Sequence, residues 1–198
     1  MKLAKINMNS PAEVKGEFSD VVFFQGCTRN CVYCFNPELK EMGTYEQNKP
    51  FKEIAQALYN SFSGVVVLSG GEPLDQPRDE ILNLIKLLIY TGKKVVLETS
   101  KFDSKIFKEV THVLYTIKSW DIDKSALISI SDMKNVTPVV ITDHKDFNWN
   151  GYMDALECLD IIYHRPYDGL LISRKWTQLY KLAKKYKTQL KRFTQVCL

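Results

Sequence analysis

The chain has 198 residues, 45% of them hydrophobic and 25% charged, which is the make-up of an ordinary globular domain with its own core. Its net charge of +4, from 27 basic and 23 acidic residues, permits an acidic partner without demanding one. No apolar run is long enough to span a bilayer, and the opening MKLAKINMNSP lacks the apolar core of a secretion signal, so a cytoplasmic location is expected.

Along the chain, six short runs rich in Val and Ile read as strands: Ser19–Gln25, Gly64–Ser69, Lys93–Thr99, His112–Ile117, Thr137–Thr142 and Leu159–Tyr163. Their nearly continuous hydrophobicity is that of strands covered on both faces, as in a parallel sheet. Helical spacing of apolar residues marks Pro50–Phe62 and Arg78–Tyr90, each followed by a glycine that stops it. Further helices are expected at Ser104–Glu109, Trp149–Cys158 and Ser173–Thr188, and more weakly within Asp121–Asn135. Right-handed crossovers fold such an alternation into an α/β structure. An open sheet and a curved barrel both fit. The expectation is a partial (β/α)6 barrel of mostly parallel strands with outer helices, forming a single domain over residues 1–198. In either arrangement ligands gather at the carboxyl ends of the strands.

The first of these strands runs into GCTRNCVYCFNPEL, with Cys27, Cys31 and Cys34 in a C-x3-C-x2-C spacing. An odd total of five cysteines, three of them clustered, does not resemble a disulfide framework. Three thiolates on one loop suit an iron–sulfur cubane and leave one iron without a protein ligand. The competing reading is structural zinc, which wants four ligands. His112, His144, His164 or Cys158 could supply the fourth, though none has a recognisable spacing. The strand Gly64–Ser69 leads into Gly70-Gly71-Glu72-Pro73, where two glycines permit close backbone approach to a ligand.

The segment FFQGCTRNCVYCFNPEL resembles the signature of the radical S-adenosylmethionine (SAM) superfamily. Within it, the similarity is to the activating enzymes of glycyl radical enzymes, above all that of anaerobic ribonucleotide reductase. The resemblance implies a [4Fe–4S] cluster on Cys27, Cys31 and Cys34, with SAM bound at the open iron. It places Tyr33 near the adenine and gives Phe35, Asn36 and Pro37 a part in shaping the loop. Gly70, Gly71 and Glu72 match the family's GGEP motif, which contacts the methionine amino group of SAM, with Pro73 stiffening the turn and Ser69 beside it. Glu98 matches an acidic position at the ribose or carboxylate, and Lys118 the lysine of an Asp-x-Lys pattern. Thr116 stands where that aspartate would be, which puts a bound monovalent cation in doubt. The family's Gly-Pro-Gly-like turn before the first strand is replaced by Val14-Lys15-Gly16-Glu17-Phe18.

The implied partners are a glycyl radical enzyme such as anaerobic ribonucleotide reductase, whose backbone glycine would lose a hydrogen atom, and a flavodoxin or ferredoxin as electron donor. Two other functions are weighed. One is a small-molecule radical SAM enzyme such as a 7-carboxy-7-deazaguanine synthase, although that family's Gln-Gly-Glu-Gly stretch is absent. The other is a zinc-stabilised module binding nucleic acid through KLAKKYKTQLKR, a segment better read as the solvated face of a last helix. Asp143, His144, Lys145, His164 and Arg165 follow later strands and are weaker candidates for substrate or partner contact. Cys158 reads as core and Cys197 as idle.

Overall fold

The structure, a computed structural model, describes residues 1–31, 33–41, 47–142, 147–166, 173–192 and 195. Nine strands and six α-helices lie among them. In chain order they are β1 (Lys2–Ser10), β2 (Ser19–Phe24), β3 (Gln47–Asn48), α1 (Phe51–Tyr59), β4 (Val65–Gly70), α2 (Arg78–Tyr90), β5 (Lys94–Thr99), α3 (Ser104–Glu109) and β6 (His112–Ile117). Then follow α4 (Lys124–Ser131), β7 (Val136–Thr142), α5 (Trp149–Cys158), β8 (Ile161–Pro166), α6 (Ser173–Lys185) and β9 (Gln189–Arg192). The class is α/β with mostly parallel strands, as expected. All six anticipated strands are present, their ends matching or lying within three residues of those expected. β1, β3 and β9 are additions.

The chain divides into two compact units, Met1–Val113 with Gln195–Leu198, and Leu114–Thr194, so the boundary falls inside β6. In the first unit the strand order is β3-β1-β2-β4-β5. β2, β4 and β5 run parallel, in a register that pairs Phe24 with Gly70 and Leu68 with Leu97. β1 is antiparallel to both β2 and β3. Val21, Val22, Val65, Val66, Val67, Leu68, Val95, Val96 and Leu97 are all buried, which is why these strands read as unbroken apolar runs. α1 buries Ile54, Ala55 and Leu58, and α2 buries Ile81, Leu84, Ile85 and Leu88. α2 packs on α1, α3 and β5. Asp103 caps α3 by accepting from the amides of Lys105 and Ile106, and it also receives a bidentate grip from Arg78 at the start of α2. That guanidinium holds the Asp103 carboxyl below the usual carboxylate range.

In the second unit β7, β8 and β9 are parallel neighbours. α5 starts at Asn148, whose side chain caps the amides of Asn150 and Gly151. Gly151 is required there, because a Cβ would overlap the Ser119 carbonyl oxygen. Phe147, Trp149, Tyr152 and His164 form a packed ring cluster, in which the Tyr152 hydroxyl lies 3.2 Å from His164 Nε2. α6 ends earlier than the basic segment suggested. Lys187 takes φ +61°, and the chain turns there into β9.

Candidate active site at the carboxyl ends of β2, β4 and β5

β2 delivers the cysteine loop. Past Phe24 the chain bends at Gly26, whose φ of +93° favours glycine over any residue with a Cβ. The Gly26 amide donates to Leu39 O at 2.8 Å and the Cys27 amide to Lys40 O at 3.2 Å. The loop is thus closed at its base by the segment that follows it. Leu39, 3% exposed, anchors that return through a short 3-10 turn at Pro37–Leu39. Lys40 Nζ reaches back to Asn30 Oδ1 at 3.1 Å and to Cys31 O at 3.0 Å.

The three thiols differ in exposure. Cys31 is buried, while Cys27 and Cys34 are half-buried, and none is in a disulfide. Burial pushes the Cys27 thiol above its ordinary value, and the negative charges of Glu72 and Asp75 add to this, while the Arg29 amide opposes it. A metal bound there must therefore displace a proton. Tyr33 is 2% exposed, and burial holds its phenol far above its usual pKa. It is a neutral plug inside the loop.

Among the described residues, no three His, Cys, Asp or Glu side chains are gathered closely enough to hold a single metal ion. One ion requires its ligands to converge on a point, whereas a cubane offers a separate iron to each thiolate. Three free thiols on one loop are the donor set for the second case. They would hold the cluster, which supplies low-potential electrons when bound.

β4 delivers the glycine turn, and its packing explains both glycines. A Cβ on Gly70, whose φ is +106°, would stand 2.6 Å from both the N and the O of Phe24. A Cβ on Gly71 would overlap the Gly26 carbonyl oxygen and stand 2.8 Å from its carbon. The backbones are joined where they touch: Gly71 N donates to Phe24 O at 2.8 Å and Glu72 N to Gly26 O at 2.9 Å. The pair of glycines is thus what lets the turn lie against the base of the cysteine loop.

The Glu72 side chain does something the sequence does not announce. It is 2% exposed, and its carboxylate accepts from the Ser100 amide and hydroxyl (2.9 Å each), the Leu74 amide (3.1 Å) and the Thr99 hydroxyl. Four protein donors saturate it, so it staples the turn to the end of β5 instead of presenting a free carboxylate. Glu72→Ala leaves these buried donors without their acceptor. The expected cost is about 3 kcal/mol of unfolding free energy, read from urea denaturation, with a smaller loss for Glu72→Gln, which keeps one oxygen.

Ser69 and Glu98 are brought together by the register of β4 and β5, the serine hydroxyl donating to Glu98 Oε2 at 2.6 Å. Both are half-buried at the strand ends. Lys118 belongs to the second unit, just past β6, where its carbonyl accepts from the Asp121 amide at 2.9 Å.

Sequence reasoning missed the short 3-10 turn Pro73–Asp75 as a hub. Asp75 accepts from the Thr28 amide at 2.7 Å and from Lys101. Gln76 joins Gln25 O (3.0 Å) to the Lys2 amide (2.7 Å). Arg29 Nη2 donates to Ser100 O at 3.0 Å. The available signal was the Glu-Pro-x-Asp pattern, a proline-led turn with carboxylates at both ends.

Of the weaker candidates, His164 is fully buried against Tyr152, and burial lowers its pKa to about 3, so it is a neutral core residue. Arg165, next to it on β8, and Cys158 are half-buried. Asp143, His144, Lys145 and Cys197 lie outside the described residues.

Several solved structures resemble this fold. SuiB of Streptococcus suis, solved bound to S-adenosylmethionine, matches with a TM-score of 0.58 at 13% identity over 96% of this chain and 51% of its own. QueE of Escherichia coli matches at 0.50 and 15% identity over 98% and 94%. At such identities the likeness speaks for the fold alone. In sequence, a pyruvate formate-lyase-activating enzyme of Clostridium pasteurianum is 33% identical over 52% of this chain and 47% of its own length. One from Staphylococcus epidermidis is 26% identical over 80% and 78%. A 7-carboxy-7-deazaguanine synthase of Methanospirillum hungatei is 30% identical over 50% and 42%. The match thus spans about half the length of the first of these relatives. The model of the radical SAM superfamily matches residues 21–138, from β2 into β7. The chain belongs to the radical SAM superfamily, whose cofactors are a [4Fe–4S] cluster and SAM. Among the described residues, no helix is long and apolar enough to cross a membrane.

Proposed function

We propose that the chain cleaves SAM reductively at a [4Fe–4S] cluster held by Cys27, Cys31 and Cys34, and that it activates a partner glycyl radical enzyme. The observation that carries this reading is the backbone junction of the cysteine loop with the Gly70-Gly71-Glu72 turn, which sets a three-thiol loop beside a glycine turn at adjacent strand ends. When bound, the cluster supplies an electron that converts SAM to methionine and a 5′-deoxyadenosyl radical. The chain's own residues do the rest. Cys27, Cys31 and Cys34 would hold the cluster as thiolates, leaving SAM a place on it, and the buried Tyr33 would pack beside the adenine. Ser69 and Glu98 present polar oxygens at the neighbouring strand ends. The hydrogen donor in this reading is a backbone glycine of the partner, with anaerobic ribonucleotide reductase as the first candidate. A flavodoxin or ferredoxin would supply the electron.

Anaerobically reconstituted protein, given reductant, SAM and the candidate partner, is expected to yield a glycyl doublet by electron paramagnetic resonance, with methionine and 5′-deoxyadenosine in solution. Cleavage of SAM without a doublet for any such partner would remove the activase assignment. It would favour the small-molecule reading, for which the similarity to a 7-carboxy-7-deazaguanine synthase speaks. Protein that takes up zinc and neither iron nor sulfide would remove both.

A further inference from the structure

The geometry points to Asp75 as a positioning residue for the cluster loop, an assignment that rests on the cysteines holding a cluster. Asp75 is three residues beyond Glu72, and its side chain is 10% exposed. Its Oδ2 accepts the Thr28 amide at 2.7 Å, a charge-assisted bond to the residue that follows Cys27. Its Oδ1 receives the Thr28 hydroxyl at 3.4 Å and the Lys101 ammonium. Glu72, at the other end of the same turn, holds Thr99 and Ser100. One short turn thus grips two chain segments with two carboxylates: the end of β5 with Glu72, and the cysteine loop with Asp75.

Thr28 is the first link between Cys27 and Cys31, so its amide fixes where the backbone goes once it leaves the first thiol. A second strap, from Arg29 to Ser100 O, acts on the next residue. Asp75 also pairs with Lys101, which stands one residue beyond Ser100 and is 32% exposed. Removing the carboxylate therefore has two separable effects. The loop loses its amide acceptor, and an ammonium beside the loop loses its counter-charge. An uncompensated cation next to an iron–sulfur centre stabilises the reduced form and raises its potential.

Asp75→Ala and Asp75→Asn separate these effects, since the amide oxygen of Asn still accepts from Thr28 but carries no charge. Two measurements are made on the full chain. Amide hydrogen exchange in the cluster-free protein is expected to be about tenfold faster at Thr28 in Asp75→Ala, because a charge-assisted hydrogen bond protects by about that factor or more, and intermediate in Asp75→Asn, which keeps an uncharged acceptor. After anaerobic reconstitution, the reduced cluster of Asp75→Asn is expected to keep its iron and sulfide content with a more positive midpoint potential. Asp75→Ala is expected to show altered g-values and a lower cluster yield. Thermal melting of each cluster-free variant identifies any that fails to fold, and in that event the Asn variant carries the test.

If the parent protein takes up no iron, the cluster reading fails, and the exchange rates alone decide whether Asp75 fixes the loop. If the parent takes up a cluster while both variants match it in exchange, potential and g-values, Asp75 has no positioning role.

Discussion

Cys27→Ala, Cys31→Ala and Cys34→Ala are each expected to lose reductive cleavage of SAM down to the background of the cluster-free protein. The three thiols are the whole of the loop's sulfur donor set, and none is tied up in a disulfide. On the proposed ligand set, two remaining thiolates would leave a second iron without a protein ligand, and a cubane so held would be shed or degraded. The three variants need not fail alike as folded proteins. Cys31 is buried and leaves a cavity, whereas Cys27 and Cys34 are half-buried and leave little. The check is 5′-deoxyadenosine release after reconstitution, alongside iron and sulfide analysis and a thermal melt. Full turnover by any one variant would strike that sulfur from the ligand set.

Gly71→Ala is the second large effect, and its origin is mechanical. The added methyl group overlaps the Gly26 carbonyl, which belongs to backbone that cannot swing aside as a side chain can. Relief requires the turn and the loop base to part, at the expense of the bonds Gly71 N to Phe24 O and Glu72 N to Gly26 O. Two lost hydrogen bonds and the overpacking together come to about 3–5 kcal/mol. That is a fall in Tm of about 6–20 °C for a chain of this size. Gly64→Ala is the control: nothing lies within 4 Å of its Cβ position, so its melting temperature should hold or rise slightly. A Gly71→Ala protein that melts with the parent but no longer binds SAM would show that the glycine serves the ligand alone.

β2, β4 and β5 were legible because a strand covered on both faces is an uninterrupted apolar run. β1 was not, for the opposite reason. Lys5 and Asn7 point outward while Leu3 is buried, and such mixed antiparallel strands resemble loops. β9 hid inside a basic stretch whose charges suggested one long helix. Within the site, cysteine spacing and the paired glycines could be read directly, since both are local features of the chain. What a carboxylate faces is not local. Glu72 and Asp75 find Thr99, Ser100, Thr28 and Lys101 only after β2, β4 and β5 have been laid side by side, so no window of sequence could have assigned them.

β1 and β3 carry a consequence for how molecules of this protein meet one another. Among the described residues β3 is two residues long and pairs with Lys2 and Leu3, and β1 breaks register twice beyond them, with Asn9 at φ +57°. A margin this short and irregular, studded with Lys5, gives an incoming chain almost no ladder to zip onto. Such an edge disfavours self-association by sheet extension, and concentrated anaerobic stocks should resist fibril growth from it.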